Sequence, residues 1–353
     1  MRITQSMMSR GYINRMNKNL QNLSKSNNRM ASQMKYTRIS DNTAEVSRAF
    51  VVREQLERNE QYTTNIKNAE GILASTESNL QMLNSSLNNV TDRLLQANTG
   101  TMPDNERKLI AREIKGLQEQ ALQISNAKYG EQYLFSGSGK GKEAPFSVDA
   151  GGELQYNGYP VDSLFPHPTT GKPSVKTVVD PADPTKDVYT EINYNKDIYI
   201  DIGLGLNVSG SGVDAKLDPK SAMKISTSGV EALGFGMGAD GLPNNLYSLL
   251  GKIVNDMESG NVTEMGKDID HIKHTSDTLL LSITDVGTRA AFLEDTWNRM
   301  DSDSIILKTA QQKLESAPLE EEAIYNKSFE TSWMITLQLG SKLIPPSIFD
   351  FIR

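Results

Sequence analysis

The chain of 353 residues contains no cysteine, and this absence excludes several kinds of chemistry together. Without a thiol there is no disulfide, no thiolate metal site and no cysteine nucleophile. Aromatic residues make up only 7% of the chain, and the mean hydropathy is −0.47. A compact enzyme of this length buries more aromatic and branched side chains, whereas an elongated helical protein has much surface for each residue. The composition therefore favours an elongated helical protein.

The sequence also lacks long apolar runs and a surplus of basic residues. No run reaches the roughly 18 apolar residues of a membrane span. The first ten residues contain no apolar core of signal-peptide length. The net charge is −7 with interspersed signs, so no basic face for nucleic acid is evident. We expect a soluble protein, or one exported without a cleaved signal, with no membrane insertion and no nucleic-acid partner.

What the chain does contain is a long stretch of regular apolar spacing, residues 265–307. Steps of four and three alternate without a slip, which is the 3.5-residue period of a coiled coil. At about 1.5 Å per residue this helix would be roughly 65 Å long. A stripe so narrow needs a partner to cover it. Its members are Met265, Ile269, Ile272, Ser276, Leu279, Ile283, Val286, Ala290, Leu293, Trp297, Met300, Ser304 and Leu307.

A second strict seam lies in residues 66–97, inside a helix expected from Ala44. It ends before Gly100 and Pro103, which stop helices. Asp104 is a candidate cap for a third helix that we expect to end at about Ala127. Because the connection is short, the second and third helices are expected to be antiparallel neighbours. The seam residues are Ile66, Ala69, Leu73, Thr76, Leu80, Leu83, Leu87, Val90, Leu94 and Ala97.

The two ends of the chain have weaker patterns. Asn and Ser crowd residues 1–35 and are poor helix formers, so we predict that this segment is disordered in the monomer and folds against neighbours. Ser40, Asp41 and Thr43 are candidate N-caps of the next helix. Residues 319–343 are apolar on more than one face, which is typical of a helix covered in an oligomer. The weak N-terminal heptad is formed by Ile13, Met16, Leu20, Leu23, Asn27, Met30 and Met34.

Strand and turn signals replace the helical period between about Lys128 and Pro243. The pairs Gly151-Gly152, Asn157-Gly158 and Asp240-Gly241 predict turns. We therefore predict a mainly α protein: a discontinuous, long antiparallel coiled-coil helical domain built from N- and C-terminal regions, with an inserted β-rich domain. The expected divisions are terminal helices at 1–40 and 318–353, a coiled-coil domain at 41–135 and 244–317, and the β-rich insert at 136–243.

Residues with potential chemistry form no convincing site. His271 and His274 have the i, i+3 spacing of a metal pair, but both are expected on the outer, solvated face of the long helix. Residues 137–142 are Gly-rich but fail the Walker spacing, so a linker is expected. Asp180, Asp183 and Asp187 lack the glycine of a calcium loop. We predict no catalytic residue, no metal and no cofactor.

Several motifs resemble the flagellin family. The opening Met1-Arg-Ile-Thr4, the Asn-rich stretch to Ser24 and the break Arg38-Ile-Ser-Asp-Asn42 are similar to its N-terminal half. The segments 126–137, 283–289 and 343–352 resemble the group of hook–filament junction proteins within that family. Asn42-Thr43 departs from the usual Asp-Pro, and the terminal segment has few of the alanines of flagellin.

The resemblance implies a structural subunit of the bacterial flagellum and no enzyme. Terminal helices would form an axial core, the β insert would face outward, and the protein would be exported unfolded by the type III apparatus. The implied partners are further copies of the chain, the first hook-associated protein, flagellin and an export chaperone. The implied location is extracellular, at the hook–filament junction.

Two sets of residues are expected to form interfaces, the first between subunits and the second within the coiled coil. Axial packing is assigned to Leu20, Leu23, Trp333, Leu337 and Phe351. The coiled-coil seam is assigned to Leu80, Leu83, Leu87, Leu279, Ile283 and Leu293. Three alternatives stay open: flagellin itself, another type III-secreted coiled-coil protein such as a needle-tip protein or translocator, and an enzyme carried on the β insert.

Overall fold

The structure is a computed structural model. It describes residues 5–99, 102–138, 143–178, 187–192, 197–209, 216–218, 220–261 and 265–343. The chain divides into two compact units. The first unit, which we call the terminal unit, contains residues 1–60 and 301–353; the second, the central unit, contains residues 61–300.

Long helices dominate the described residues, and the predicted mainly α class with a β-rich insert is confirmed. None of these helices combines the length and the apolar content that a membrane span needs. The helices are α1 (Gln5–Ser32), α2 (Thr43–Ala97), α3 (Asp104–Ser125), α4 (Gly229–Leu233), α5 (Leu246–Ser259), α6 (Met265–Glu315) and α7 (Leu319–Leu343).

In the central unit, α2 and α6 lie antiparallel. The Ser276 hydroxyl donates a hydrogen bond to Asn84 Oδ1 at 3.0 Å. Further along, the Lys67 ammonium lies 5.5 Å from the centroid of the Trp297 ring. From the first contact to the second, the residue number falls in α2 and rises in α6, so the two helices run in opposite directions. The predicted antiparallel coiled-coil domain, which joins N- and C-terminal regions, is confirmed.

The two seams are covered to different degrees. All ten predicted α2 seam residues are buried. In α6 every seventh residue from Met265 to Met300 is buried, but the alternate residues Ile283, Ala290 and Trp297 are half-buried. α3 runs antiparallel beside the C-terminal part of α2, with Arg93 Nε 3.0 Å from Glu113 Oε1.

The starts of α2 and α3 differ from expectation. Asn42 caps α2, because its Oδ1 accepts a hydrogen bond from the Glu45 backbone N–H at 3.3 Å. Asp41 instead accepts from the Arg38 backbone N–H at 3.1 Å. The predicted caps Ser40, Asp41 and Thr43 are therefore wrong. Asp104 is likewise no cap but the first residue of α3, and its carboxylate pairs with Arg107.

The insert consists of short antiparallel strands. Asn157 and Gly158 have φ angles of 48° and 85° and form the tight turn between two of them, as their sequence predicts. The sheets are β3 (Phe146–Val148), β4 (Leu154–Tyr156) and β5 (Tyr159–Pro160); β6 (Phe165–Pro166), β7 (Pro173–Thr177) and β8 (Val188–Glu191); and the pairs β1 (Lys128–Tyr129) with β2 (Gln132–Tyr133), β9 (Tyr199–Ile200) with β12 (Met223–Lys224), and β10 (Val208–Ser209) with β11 (Lys216–Leu217).

A buried aromatic group anchors this insert. The Tyr156 ring lies 5.0 Å from the Phe146 ring, measured between centroids, and both side chains are buried. The Tyr156 hydroxyl donates a hydrogen bond to the Phe135 carbonyl oxygen at 3.0 Å. Burial raises the pKa of Tyr156 to about 12, so the phenol stays neutral over the physiological range.

Candidate functional site

The terminal unit contains the helix pair on which the assembly hypothesis depends. We call α1 and α7 the terminal helix pair. They lie antiparallel: Asn19 Nδ2 donates to Thr336 Oγ1 at 2.8 Å, and Arg29 Nη1 lies 3.2 Å from Glu322 Oε1. Toward the N-terminus of α1, the Tyr12 hydroxyl lies where a Cβ at position 340 would be. Glycine at this position therefore lets the Tyr12 side chain approach the backbone of α7.

Each helix of the pair contributes one half-covered face with steps of three and four. On the α7 face, Phe329 and Trp333 are the large apolar side chains, and the other four members are small or polar. On α1 the face is formed by Ser9, Tyr12, Met16, Asn19, Leu23, Ser26 and Met30. On α7 it is formed by Glu322, Asn326, Phe329, Trp333, Thr336 and Gly340.

Apolar side chains on the other faces of the pair stay exposed. Exposed apolar residues are ordinary singly, but many of them on one helix pair are typical of a surface that other proteins cover. We call this set the terminal apolar surface. Its members on α1 are Met7, Met8, Ile13 and Leu20, and on α7 they are Leu319, Ile324, Tyr325, Met334, Ile335, Leu337 and Leu339.

The residues assigned to axial packing are distributed over both surfaces. Leu20 and Leu337 are 45% and 46% exposed and belong to the terminal apolar surface. Leu23 and Trp333 are half-buried between the two helices. Phe351 lies outside the described residues. Sequence reasoning missed Tyr12, Asn19, Thr336 and Gly340, because it searched the stripe for apolar residues.

The residues assigned to the coiled-coil seam lie in the core of the central unit, with one exception. Ile283 is half-buried and packs against that core. The five buried members are Leu80, Leu83, Leu87, Leu279 and Leu293. The role of both sets in assembly and stability stays a prediction.

In the terminal unit, hydrogen bonds and charge pairs join residues around the connection between α1 and α2 to one another and to Glu315 at the end of α6. The Lys35 backbone N–H donates to the Glu315 carbonyl oxygen at 2.7 Å, and Arg53 Nε lies 2.5 Å from Glu315 Oε1. The Tyr36 hydroxyl and the Lys35 ammonium both donate to the Glu45 carboxylate, and these bonds hold the pKa of Glu45 below its usual range. Glu45 therefore keeps its charge to a lower pH than an unpaired glutamate would.

The histidine pair on α6 is not uniformly solvated. His271 is only 8% exposed, and its Nδ1 lies 3.1 Å from Asp240 Oδ2. The expectation that both histidines are solvated is wrong for His271, because the loop that carries Asp240 covers this part of α6. Burial alone would raise the pKa of Asp240, but the Leu242 backbone N–H and His271 outweigh burial and lower it.

A cavity of about 330 Å³ lies beside this histidine pair. Phe165 and Phe235 line it together with His274, Thr275 and Thr278. Thr275 and Thr278 donate their hydroxyl protons to backbone carbonyls of α6. Among the residues that the structure describes, no group of three or more His, Asp or Glu side chains could hold a metal ion.

Comparison with known proteins gives a match for the N-terminal helices of the chain. Residues 3–140 match the family model of the bacterial flagellin N-terminal helical region. These residues are similar to that region. They contain α1, α2 and α3, so the matched residues contribute one helix of the terminal pair and one helix of the coiled-coil seam.

Two curated relatives are both named flagellar hook-associated protein 3. The protein from Escherichia coli (strain K12) is 32% identical over 113 residues, which cover 32% of this chain and 35% of the relative. The protein from Salmonella typhimurium is 26% identical over 153 residues, which cover 43% of this chain and 48% of the relative. The chain thus spans from a third to about half the length of the curated relatives it matches. The stated resemblance is confirmed by these matches.

A solved structure supports the fold. It is named for a flagellar hook-associated protein from Vibrio parahaemolyticus and is 18% identical. The match has a TM-score of 0.53 and covers 78% of this chain and 100% of that structure. At this identity the match shows the fold alone.

Proposed function

We propose that this protein is a structural subunit of the bacterial flagellum that forms the junction layer between hook and filament. The terminal apolar surface is the observation that carries the proposal. A pair of helices that leaves so many apolar side chains exposed gains stability when further copies cover them. The names of the two curated relatives support the place of this assembly in the flagellum.

The proposed mechanism is assembly and not catalysis. Segments 1–40 and 318–353 form the axial core, segments 41–135 and 244–317 surround it, and residues 136–243 face outward. The proposed partners are further copies of the chain, the first hook-associated protein on the hook side and flagellin on the filament side. An export chaperone carries the chain to the type III apparatus, which secretes it unfolded.

Flagellin is the second candidate function. It is favoured by the match of residues 3–140 to the flagellin N-terminal helical region. A filament subunit polymerises into long fibres, whereas a junction protein stops at a short layer. Electron microscopy of the purified chain, incubated with and without hook structures, separates the two. Long filaments of this chain alone would contradict the junction proposal.

Incorporation into flagella tests the role of the terminal apolar surface. Leu20→Asp and Leu337→Asp place a charge where we propose that another subunit packs. Each variant is expressed in a flagellated strain that lacks its own hook-associated protein 3, and labelled protein on isolated hooks is quantified. We expect secretion to persist and incorporation to fall by at least tenfold, since a buried unpaired carboxylate costs about 3 kcal/mol or more.

The matched control adds the same charge on the same helix. Gln21 is exposed next to Leu20 but is not part of the apolar surface. Gln21→Asp should therefore incorporate almost as well as the unchanged chain. Equal incorporation of all three variants would mean that another surface carries assembly.

A further inference from the structure

The helix α1 carries charge of one sign only. It contains five Lys and Arg residues and no Asp or Glu. At 3.6 residues per turn, all five lie within an arc of about 140° on one flank of the helix. Ile13 and Leu20 lie on the other flank, and the half-covered face lies between the two flanks. The five cationic residues are Arg10, Arg15, Lys18, Lys25 and Arg29.

The cations of α1 differ in their partners. Near its C-terminal end, Arg29 pairs with Glu322, and Lys25 lies 3.9 Å from Asp41. Arg10, Arg15 and Lys18, which we call the cationic triad, are exposed. They form no ion pair with the described parts of the chain.

The helix opposite the triad offers no counter-charge. Residues 331–340 of α7, which lie beside the N-terminal half of α1, contain no charged residue. Three of the four carboxylates of α7 are at its other end, in the first turn formed by Glu320, Glu321 and Glu322. The fourth, Glu330, lies in the middle of the helix and pairs with Lys327 at 2.9 Å. Glu322 faces α1, whereas Glu320 and Glu321 are exposed.

Lys25, Arg29 and Lys327 also lie toward the acidic end, but each of them is paired with a carboxylate. Among the described side chains of the terminal helix pair, the charges that form no ion pair are therefore cationic at one end and acidic at the other. About 15 residues of α1 separate the level of the triad from the level of Glu320 and Glu321, which is about 22 Å. The triad of one copy cannot reach these carboxylates within the same pair. A contact between the cationic end of one copy and the acidic end of the next would satisfy both, and it can repeat from copy to copy.

We propose that the cationic triad of one copy docks against Glu320 and Glu321 of a second copy, in a head-to-tail contact guided by charge. The inference rests on the proposed function, because it names the chemistry that aligns subunits there. The exposed apolar side chains supply most of the stability, and the charges select the order and the direction of the contact. Like charges would meet in a head-to-head arrangement, which disfavours it.

Disulfide cross-linking of the full chain tests the proposal, since the chain contains no cysteine. One copy carries Asn14→Cys, beside the triad, and the other carries Ala323→Cys, beside Glu320. Both positions are exposed. Within one chain these positions are about 22 Å apart, far beyond the roughly 7 Å that a disulfide spans between Cα atoms. Because each copy carries a single cysteine, every disulfide joins two copies.

We expect the mixture to form the mixed dimer in preference to either symmetric dimer, and to lose most of it between 0.05 and 0.5 M NaCl, because salt screens exposed charges. Arg10→Glu, Arg15→Glu and Lys18→Glu together should lower the yield by about tenfold or more. Glu320→Lys and Glu321→Lys in the other copy should then restore it. As matched control, Lys108→Glu, Arg112→Glu and Lys115→Glu reverse three exposed charges on α3 and should leave the yield unchanged.

Several results would overturn the proposal. One is a yield of mixed dimer that does not change with salt concentration. Another is a triple charge reversal on α1 that lowers this yield no more than the α3 control does. A third is failure of Glu320→Lys with Glu321→Lys to restore the mixed dimer. Binding of the unchanged chain to phosphatidylglycerol vesicles that the triple reversal abolishes, without a change in cross-linking, would assign the triad to an anionic lipid surface instead. Absence of all cross-links would reject the contact but not the junction role, which incorporation into flagella decides separately.

Discussion

The burial of the coiled-coil seam predicts a graded series of stabilities. Leu83 is 0% exposed between α2 and its neighbours. Leu83→Ala removes three carbon atoms, worth about 2.4 kcal/mol at ~0.8 kcal/mol each, and leaves a cavity. We expect the free energy of unfolding to fall by about 3 kcal/mol. Ile283 is half-buried, so Ile283→Ala should cost about 1 kcal/mol. Leu281 is 71% exposed on α6. Leu281→Ala should therefore lower the free energy of unfolding by less than ~0.5 kcal/mol.

The assay for this series is urea unfolding followed by tryptophan fluorescence. The chain has two tryptophans, so a Trp333→Phe background leaves Trp297 as the reporter of the α2–α6 seam. Each alanine variant is compared in that background, and an unchanged slope against urea validates the comparison. The reasoning from burial would be refuted if Leu83→Ala cost no more than Leu281→Ala. Equal costs for Leu83 and Ile283 would refute the distinction between buried and half-buried seam positions.

Three further predictions concern other parts of the chain. Trp333→Ala should leave the Trp297 unfolding transition unchanged within ~0.5 kcal/mol but block incorporation into flagella; a large loss of seam stability would show that α7 supports the core. Amide exchange on the monomer should find residues 1–34 weakly protected, because α1 is rich in Asn and Ser, and strong protection there would reject its disorder in the free chain. The raised pKa of Tyr156 means that folding favours the neutral phenol, so stability should be complete below about pH 10 and fall as the pH rises toward 12. Tyr156→Phe should remove that component of the alkaline loss, and an unchanged pH profile would show that Tyr156 does not cause it.

The sequence predicted those features that depend on local period and on local turn chemistry. The α2 seam was predicted residue by residue, because a 3.5-residue period defines one helix face and every member of that face is buried. Asn157-Gly158 predicted its turn, because both residues tolerate positive φ. The antiparallel coiled coil and the β-rich insert followed from the order of such segments along the chain.

Features that depend on distant neighbours were not predicted. His271 was expected in solvent, but a loop more than 25 residues away in the sequence covers it. Asn42 caps α2 in place of three equally suitable neighbours, because the backbone path between α1 and α2 decides which side chain meets Glu45. Ile283 is half-buried although it belongs to the same seam as the buried Leu279, and the period of α6 does not distinguish the two.

For the terminal helix pair, the sequence by itself showed a weak heptad in residues 1–35, a helix apolar on more than one face at residues 319–343, and only positive charge within α1. Tertiary structure decided which residues face each other: Tyr12, Asn19 and Gly340 lie between the helices, while Ile13 and Leu20 stay exposed. The physical reason is that a repeat fixes the angular position of a residue on its own helix. The face that is covered depends on the partner helix, and so does the surface that is left for other subunits.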